Sequence, residues 1–82
     1  MEYRRYEIYT QDGKMTSDHL KENPDYFDEV LMDSKGRLTI KMDSSDLYFE
    51  LKGDEGAVKE NIKNIESKLP IKLKLLDKSK SN

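Results

Sequence analysis

The stretch GRLTIKMDSSDLYFELKGDEGAVKENIKNIESKLP, residues 36–70, decides how the chain folds. Up to Gly53 it keeps a two-residue rhythm. Leu38, Ile40 and Met42 alternate with Arg37, Thr39 and Lys41, and Leu47, Phe49 and Leu51 alternate with Tyr48, Glu50 and Lys52. Such alternation marks strands with one buried face. Asp43-Ser44-Ser45-Asp46 between the two runs are all turn formers. After Gly53 the rhythm changes. Val58, Ile62, Ile65 and Leu69 fall at spacings of four, three and four, with only polar residues between them. That is one stripe of a helix. Asp54 suits its N-cap, and Glu55 suits the positive end of the helix dipole. Glu55 and Lys59 stand at i,i+4 in the favourable order. Lys68 lies at the negative end, and Pro70 stops the helix because it has no N–H to donate. The spacing predicts a helix over 54–69.

Working outward, PIKLKLLD (70–77) alternates Ile71, Leu73 and Leu75 with Lys72 and Lys74, which reads as a further strand. Strand, helix and strand in succession imply a crossover, right-handed if the strands are parallel. Upstream, YFDEVLMD (26–33) reads as the first strand of a meander over 26–33, 37–43 and 46–52. Gly36 supplies the positive φ that a type I turn with a bulge requires. The faces of that first strand conflict: Tyr26, Val30 and Met32 compete with Phe27 and Leu31, which a bulge or two-sided burial would resolve. EYRRYEIYT (2–10) also reads as a strand, with Tyr6 and Ile8 on one side and Tyr3, Arg5, Glu7 and Tyr9 on the other. QDGK (11–14) is a turn, and 17–22 a short helical turn that stops at Asn23-Pro24.

The expected order is β-[short α]-β-β-β-α-β. This is an α+β domain over residues 1–76, a mainly antiparallel sheet of about five strands with one amphipathic helix on one face, followed by a flexible tail over 77–82. The expected core comprises Tyr6, Ile8, Val30, Leu38, Ile40, Met42, Leu47, Phe49, Leu51, Val58, Ile62, Ile65, Leu69, Ile71, Leu73 and Leu75.

The chain has 82 residues, of which 34% are hydrophobic and 39% charged, and this leaves room for one small, polar domain. It contains no cysteine, which excludes disulfide staples and cysteine-based zinc sites and leans towards a cytoplasmic setting. The charged N-terminus lacks the apolar core of a signal peptide, and no apolar run has the length of a membrane span. Net charge is −2, unevenly placed. Residues 12–33 carry seven acids against Lys14 and Lys21, a net of −5, while residues 68–82 carry five lysines against Asp77, a net of +4.

Little here resembles catalytic equipment. Gly13-Lys14-Met15-Thr16 lacks the upstream glycine of a phosphate-binding loop and reads as a turn. Gly53 and Gly56 flank two acids that would repel an anion from the helix start. His19 is the only histidine, without converging ligands. Asp43 and Asp46 lack the distal glutamate of a calcium loop. Asp28 and Glu29, adjacent on a strand, would face opposite ways. No cofactor, no metal and no enzymatic activity is expected. In general style, a short, lysine-rich chain without cysteine resembles small phage or mobile-element accessory proteins, a likeness that no motif carries.

The tyrosines remain. Tyr3, Arg5 and Tyr9 share the outward side of one strand, Tyr48 and Lys52 that of another, and Lys72 and Lys74 add charge if their strand is a neighbour. Tyr and Arg are enriched at interface hot spots, and an edge strand invites pairing with another chain. The expected function is a non-catalytic protein-binding module acting by occupancy, as a regulator or inhibitor would, with homodimerisation through an edge strand as a variant. The alternative is a single-stranded nucleic-acid binder that stacks bases on the same tyrosines. Glu7, Glu50 and the overall negative charge speak against it, because phosphate binding needs surplus positive charge.

Overall fold

The computed structural model describes residues 3–44 and 46–78. Strand β1 (Tyr3–Thr10) turns into the two-residue β2 (Gly13–Lys14). Helices α1 (Ser17–Glu22) and α2 (Asp28–Asp33) follow, then β3 (Leu38–Asp43) and β4 (Asp46–Lys52), helix α3 (Glu55–Lys68) and β5 (Lys72–Lys78). The five strands form one antiparallel sheet with α3 packed against it, an α+β fold as the periodicity predicts.

β1 occupies the middle of the sheet. It pairs with β4 over Tyr3–Glu7 and with β2 at Tyr9 and Thr10. β5 pairs with β1 from Arg4 to Tyr9 and so overlaps both partners. β4 and β2 therefore lie end to end on one side of β1, with β5 on the other. Adding β3 beyond β4 gives the order β3-β4-β1-β5, with β3 and β5 at the edges. The N-terminal run is thus no edge strand, because both of its sides are taken. β4 and β5 each run antiparallel to β1, hence parallel to one another, and α3 is the crossover that joins them.

The α3 signals act as the sequence suggests. Asp54 Oδ1 accepts from Ala57 N at 2.8 Å, and Leu69 forms the C-cap before Pro70. Val58 and Ile65 are fully buried, with Ile62 and Leu69 partly so. The hairpin between β3 and β4 closes with Asp43 opposite Asp46. α1 begins after Thr16, whose N–H donates to His19 Nδ1 at 3.1 Å.

Residues 28–33 are a helix, not the first strand of a meander. The conflict between its faces disappears at helical spacing: Phe27, Val30, Leu31 and Ser34 fall on one side, and Met32 points away, 80% exposed. α2 is then fastened to α3. Ser34 Oγ lies 2.6 Å from Val30 O and 2.9 Å from Asn61 Oδ1, and the Lys68 ammonium pairs with Asp33 and, at 3.7 Å, with Glu29. Beyond α2, Lys35 (φ 51°) and Gly36 (φ 84°) turn the chain into β3 through two left-handed residues, rather than through a turn between strands. The fifth strand comes from β2, where Gly13 (φ 117°) makes the tight turn.

The buried core joins Tyr6, Ile8, Leu38, Leu47, Phe49 and Leu51 from the sheet with Phe27, Val30, Val58, Ile65, Met15 and Ile71. Phe27 and Met15 were not among the expected core residues. The ring of Phe27 meets that of Phe49 edge to face at 4.9 Å, as aromatic pairs prefer. Met42 and Leu75, expected inside, are 55% and 47% exposed. Both point to the helix side of the sheet, but from its two edge strands, where cover is thin. The tail placed at 77–82 overlaps the end of β5, since Asp77 and Lys78 pair with Arg5 and Arg4. Residues 79–82 lie outside the described residues.

Candidate binding face

α3 and the core fill one side of the sheet. On the other side, strand registry lines up the outward residues in rows. Lys41, Tyr48, Glu7 and Lys74 form the central row across β3, β4, β1 and β5. Thr39, Glu50 and Arg5 form the row beside it, and Lys52 stands opposite Tyr3 at one end. At the other end Tyr9 lies between Lys14 of β2 and Lys72 of β5. All seven residues singled out from the sequence, Tyr3, Arg5, Tyr9, Tyr48, Lys52, Lys72 and Lys74, therefore share this face. Tyr3 and Tyr9 stand six residues apart on β1, about 20 Å along the strand.

The face is knitted by short polar contacts. Arg5 Nε lies 3.3 Å from Glu50 Oε2, and its guanidinium sits 5.7 Å from the Tyr48 ring centre, in cation–π range. Glu7 is the hub. It pairs with Lys14 Nζ at 2.8 Å, and Tyr9 Oη donates to it at 3.1 Å. Lys14 also reaches Asp46 at 3.6 Å, and the Lys74 ammonium lies 6.0 Å from the Tyr9 ring centre. The Lys14 hydrogen bond holds the Glu7 carboxyl below its ordinary pKa, with Tyr9, Lys74 and the Lys14 charge acting the same way against desolvation. Lys14 is pushed up in turn, first by Glu7 and also by Asp46.

Sequence reasoning missed the role of Lys14 as the counter-ion of Glu7. The turn signal in QDGK carried that information, because a two-residue loop places Lys14 opposite Tyr9. These rows hold six cations, Arg5, Lys14, Lys41, Lys52, Lys72 and Lys74, against Glu7 and Glu50, with Asp46 beside Lys14. Arg5 and Lys14 are neutralised locally, while Lys41, Lys52, Lys72 and Lys74 make no ion pair among the described residues.

Elsewhere, a cavity of about 340 Å³ lies between the β1–β2 turn, α1 and Pro70, lined by Met15, Leu20, Tyr26 and Phe27 with His19 at its side. A polar groove of about 650 Å³ runs between the end of α2 and α3, past Asp33, Asn61, Asn64 and Lys68. Among the described residues no group of three or more His, Cys, Asp or Glu could hold a metal ion, and no helix is long and apolar enough to cross a membrane. No family model, no curated protein and no solved structure matches the chain.

Proposed function

We propose that this protein is a non-catalytic, cytosolic binding module that acts by occupying a protein partner through the open face of its sheet. The observation that carries this reading is two pre-set groups of contacts on the face, Tyr9 and Lys14 on Glu7, and Arg5 between Glu50 and Tyr48. Tyr9, Tyr48 and Arg5 are already held by neighbours, so docking them costs little side-chain entropy. Held tyrosines and a paired arginine are the anchors that protein interfaces favour. Local neutralisation of Arg5 and Lys14 fits a partner of mixed charge better than a polyphosphate chain.

The test is the double substitution Tyr3→Ala with Tyr9→Ala. Protein capture by the folded variant, checked by circular dichroism, is expected to fall at least tenfold, whereas unchanged capture refutes the face. A second reading, single-stranded nucleic acid, draws on Lys72 and Lys74 beside Tyr9. Titration with labelled oligonucleotides separates the two: micromolar binding that collapses as salt rises favours nucleic acid, and no binding at low salt retires it.

A further inference from the structure

The open edge of β3 is self-complementary in one register. Lys52 N donates to Arg37 O at 2.9 Å, which fixes the alternation along this hairpin. The Arg37 carbonyl and the main-chain groups of Thr39, Lys41 and Asp43 turn towards β4, while the Arg37 N–H donates to Ser34 O at 3.0 Å, so the groups of Leu38, Ile40 and Met42 turn outward. No described residue bonds these outward groups. Unpaired strand groups of this kind are a template for a further strand.

We infer that β3 pairs antiparallel with β3 of a second copy of this chain, about a two-fold axis through Ile40, so that the two sheets become one. Ile40 then faces Ile40, and Leu38 faces Met42 of the second copy, in both directions. Every outward N–H and C=O of the three residues finds a partner, two bonds at each of the three pairs. Side chains agree with this register. On the helix side, the exposed Met42 gains Leu38 of the second copy beside it. Arg37, which precedes β3 and also lines the groove beside α2 and α3, comes opposite Asp43 of the second copy twice over, and on the open face Thr39 meets Lys41. The neighbouring registers fail on charge. Centring on Lys41 sets Lys41 against itself, and centring on Thr39 sets Arg37 against Lys41. Each also leaves one of the three residues without its pair. This assembly involves the sheet's edge and does not depend on what the open face binds.

The test combines sedimentation over a concentration series with amide exchange. A dimer is expected whose population rises with concentration. Arg37→Asp and Asp43→Arg should each weaken it about tenfold, since each places two like-charge pairs at the junction. The double charge swap should restore it. Amides of Leu38, Ile40 and Met42 should gain protection as concentration rises, while those of Thr39 and Lys41, bonded to β4, stay protected throughout and report that the hairpin is intact. A monomer at every concentration overturns the inference. So does a dimer that ignores both charge reversals, or one whose new protection appears on β5 instead.

Discussion

The two edges of the sheet differ in how they are closed. β5 spans seven residues and β3 six, and each carries an exposed apolar side chain on the helix side, Leu75 and Met42. β5 is defended three times. Lys72 and Lys74 point from its outer face, Glu66 Oε2 of α3 accepts the Leu73 N–H at 2.9 Å, and a bulge leaves Leu76 without a partner on β1. Lysines, bulges and capped N–H groups are the devices that keep an edge from pairing. β3 runs in unbroken register with β4, has no side chain bonded to its outward groups and carries one lysine, Lys41. Two edges of one sheet can thus have different fates, set by a handful of side chains.

The largest effect would break the comparison by removing the centre that both edges share. Phe49→Ala deletes a fully buried ring that packs on Phe27 from the strand next to β3. The expected loss is about 3–5 kcal/mol, a large part of the stability of so small a domain, read from chemical denaturation. A loss below about 1 kcal/mol would mean that the ring pair does not hold the helices on the sheet. Next comes the cap on β5. Glu66→Ala frees the Leu73 N–H and should cost about 1–2 kcal/mol, with faster exchange at that amide and at few others. Unchanged exchange at Leu73 would show that water serves as well as the carboxylate.

These differences were only partly legible beforehand. The helix over 55–68 and the alternating runs in β1, β3, β4 and β5 could be read because periodicity is a local property. Face membership followed from the same parity, so Tyr3, Arg5, Tyr9, Tyr48, Lys52, Lys72 and Lys74 came out on one side. Strand order is not local. Nothing between residues 2 and 10 says that β5 will return to flank β1 and make it a central strand. α2 was misread for a related reason. Six residues are too few for periodicity to separate helix from strand, and the deciding contacts, Ser34 with Asn61 and Asp33 with Lys68, reach across 27 and 35 positions. Phe27 escaped with it, as a core residue of a helix read as a strand.

A smaller effect would sharpen the comparison by making β3 resemble β5. Met42→Lys replaces a side chain that is more than half exposed, so the monomer should change by less than about 0.5 kcal/mol. At the two-fold junction the new charge would have to lie beside Leu38 of the second copy, and self-association should disappear. A variant that still dimerises would show that the helix side of β3 takes no part. The reverse exchange, Lys72→Thr with Lys74→Thr in the Glu66→Ala background, should make β5 sticky, with association appearing as new protection along that strand.

The smallest effect concerns β1, which separates the two edges. Glu7 stands between Tyr48 on the β3 side and Lys74 on the β5 side, and its carboxyl titrates below its ordinary value of 4.5 because Lys14 donates to it. A carboxyl whose folded pKa is depressed stabilises the fold fully above its unfolded pKa and loses that contribution as pH falls through the folded one. Stability should therefore be flat in this respect above about pH 5 and decline below 4.5. Asp33, lowered by Lys68, adds to the decline in the same direction. The Glu7 share is under about 1 kcal/mol, since the pair sits at the sheet surface within reach of water. Glu7→Gln should lower stability at neutral pH and flatten the acid limb, while the part that belongs to Asp33 stays. If wild type and variant lose stability in parallel below pH 4.5, the contacts of the Glu7 carboxylate with Lys14 and Tyr9 add nothing that protons can remove.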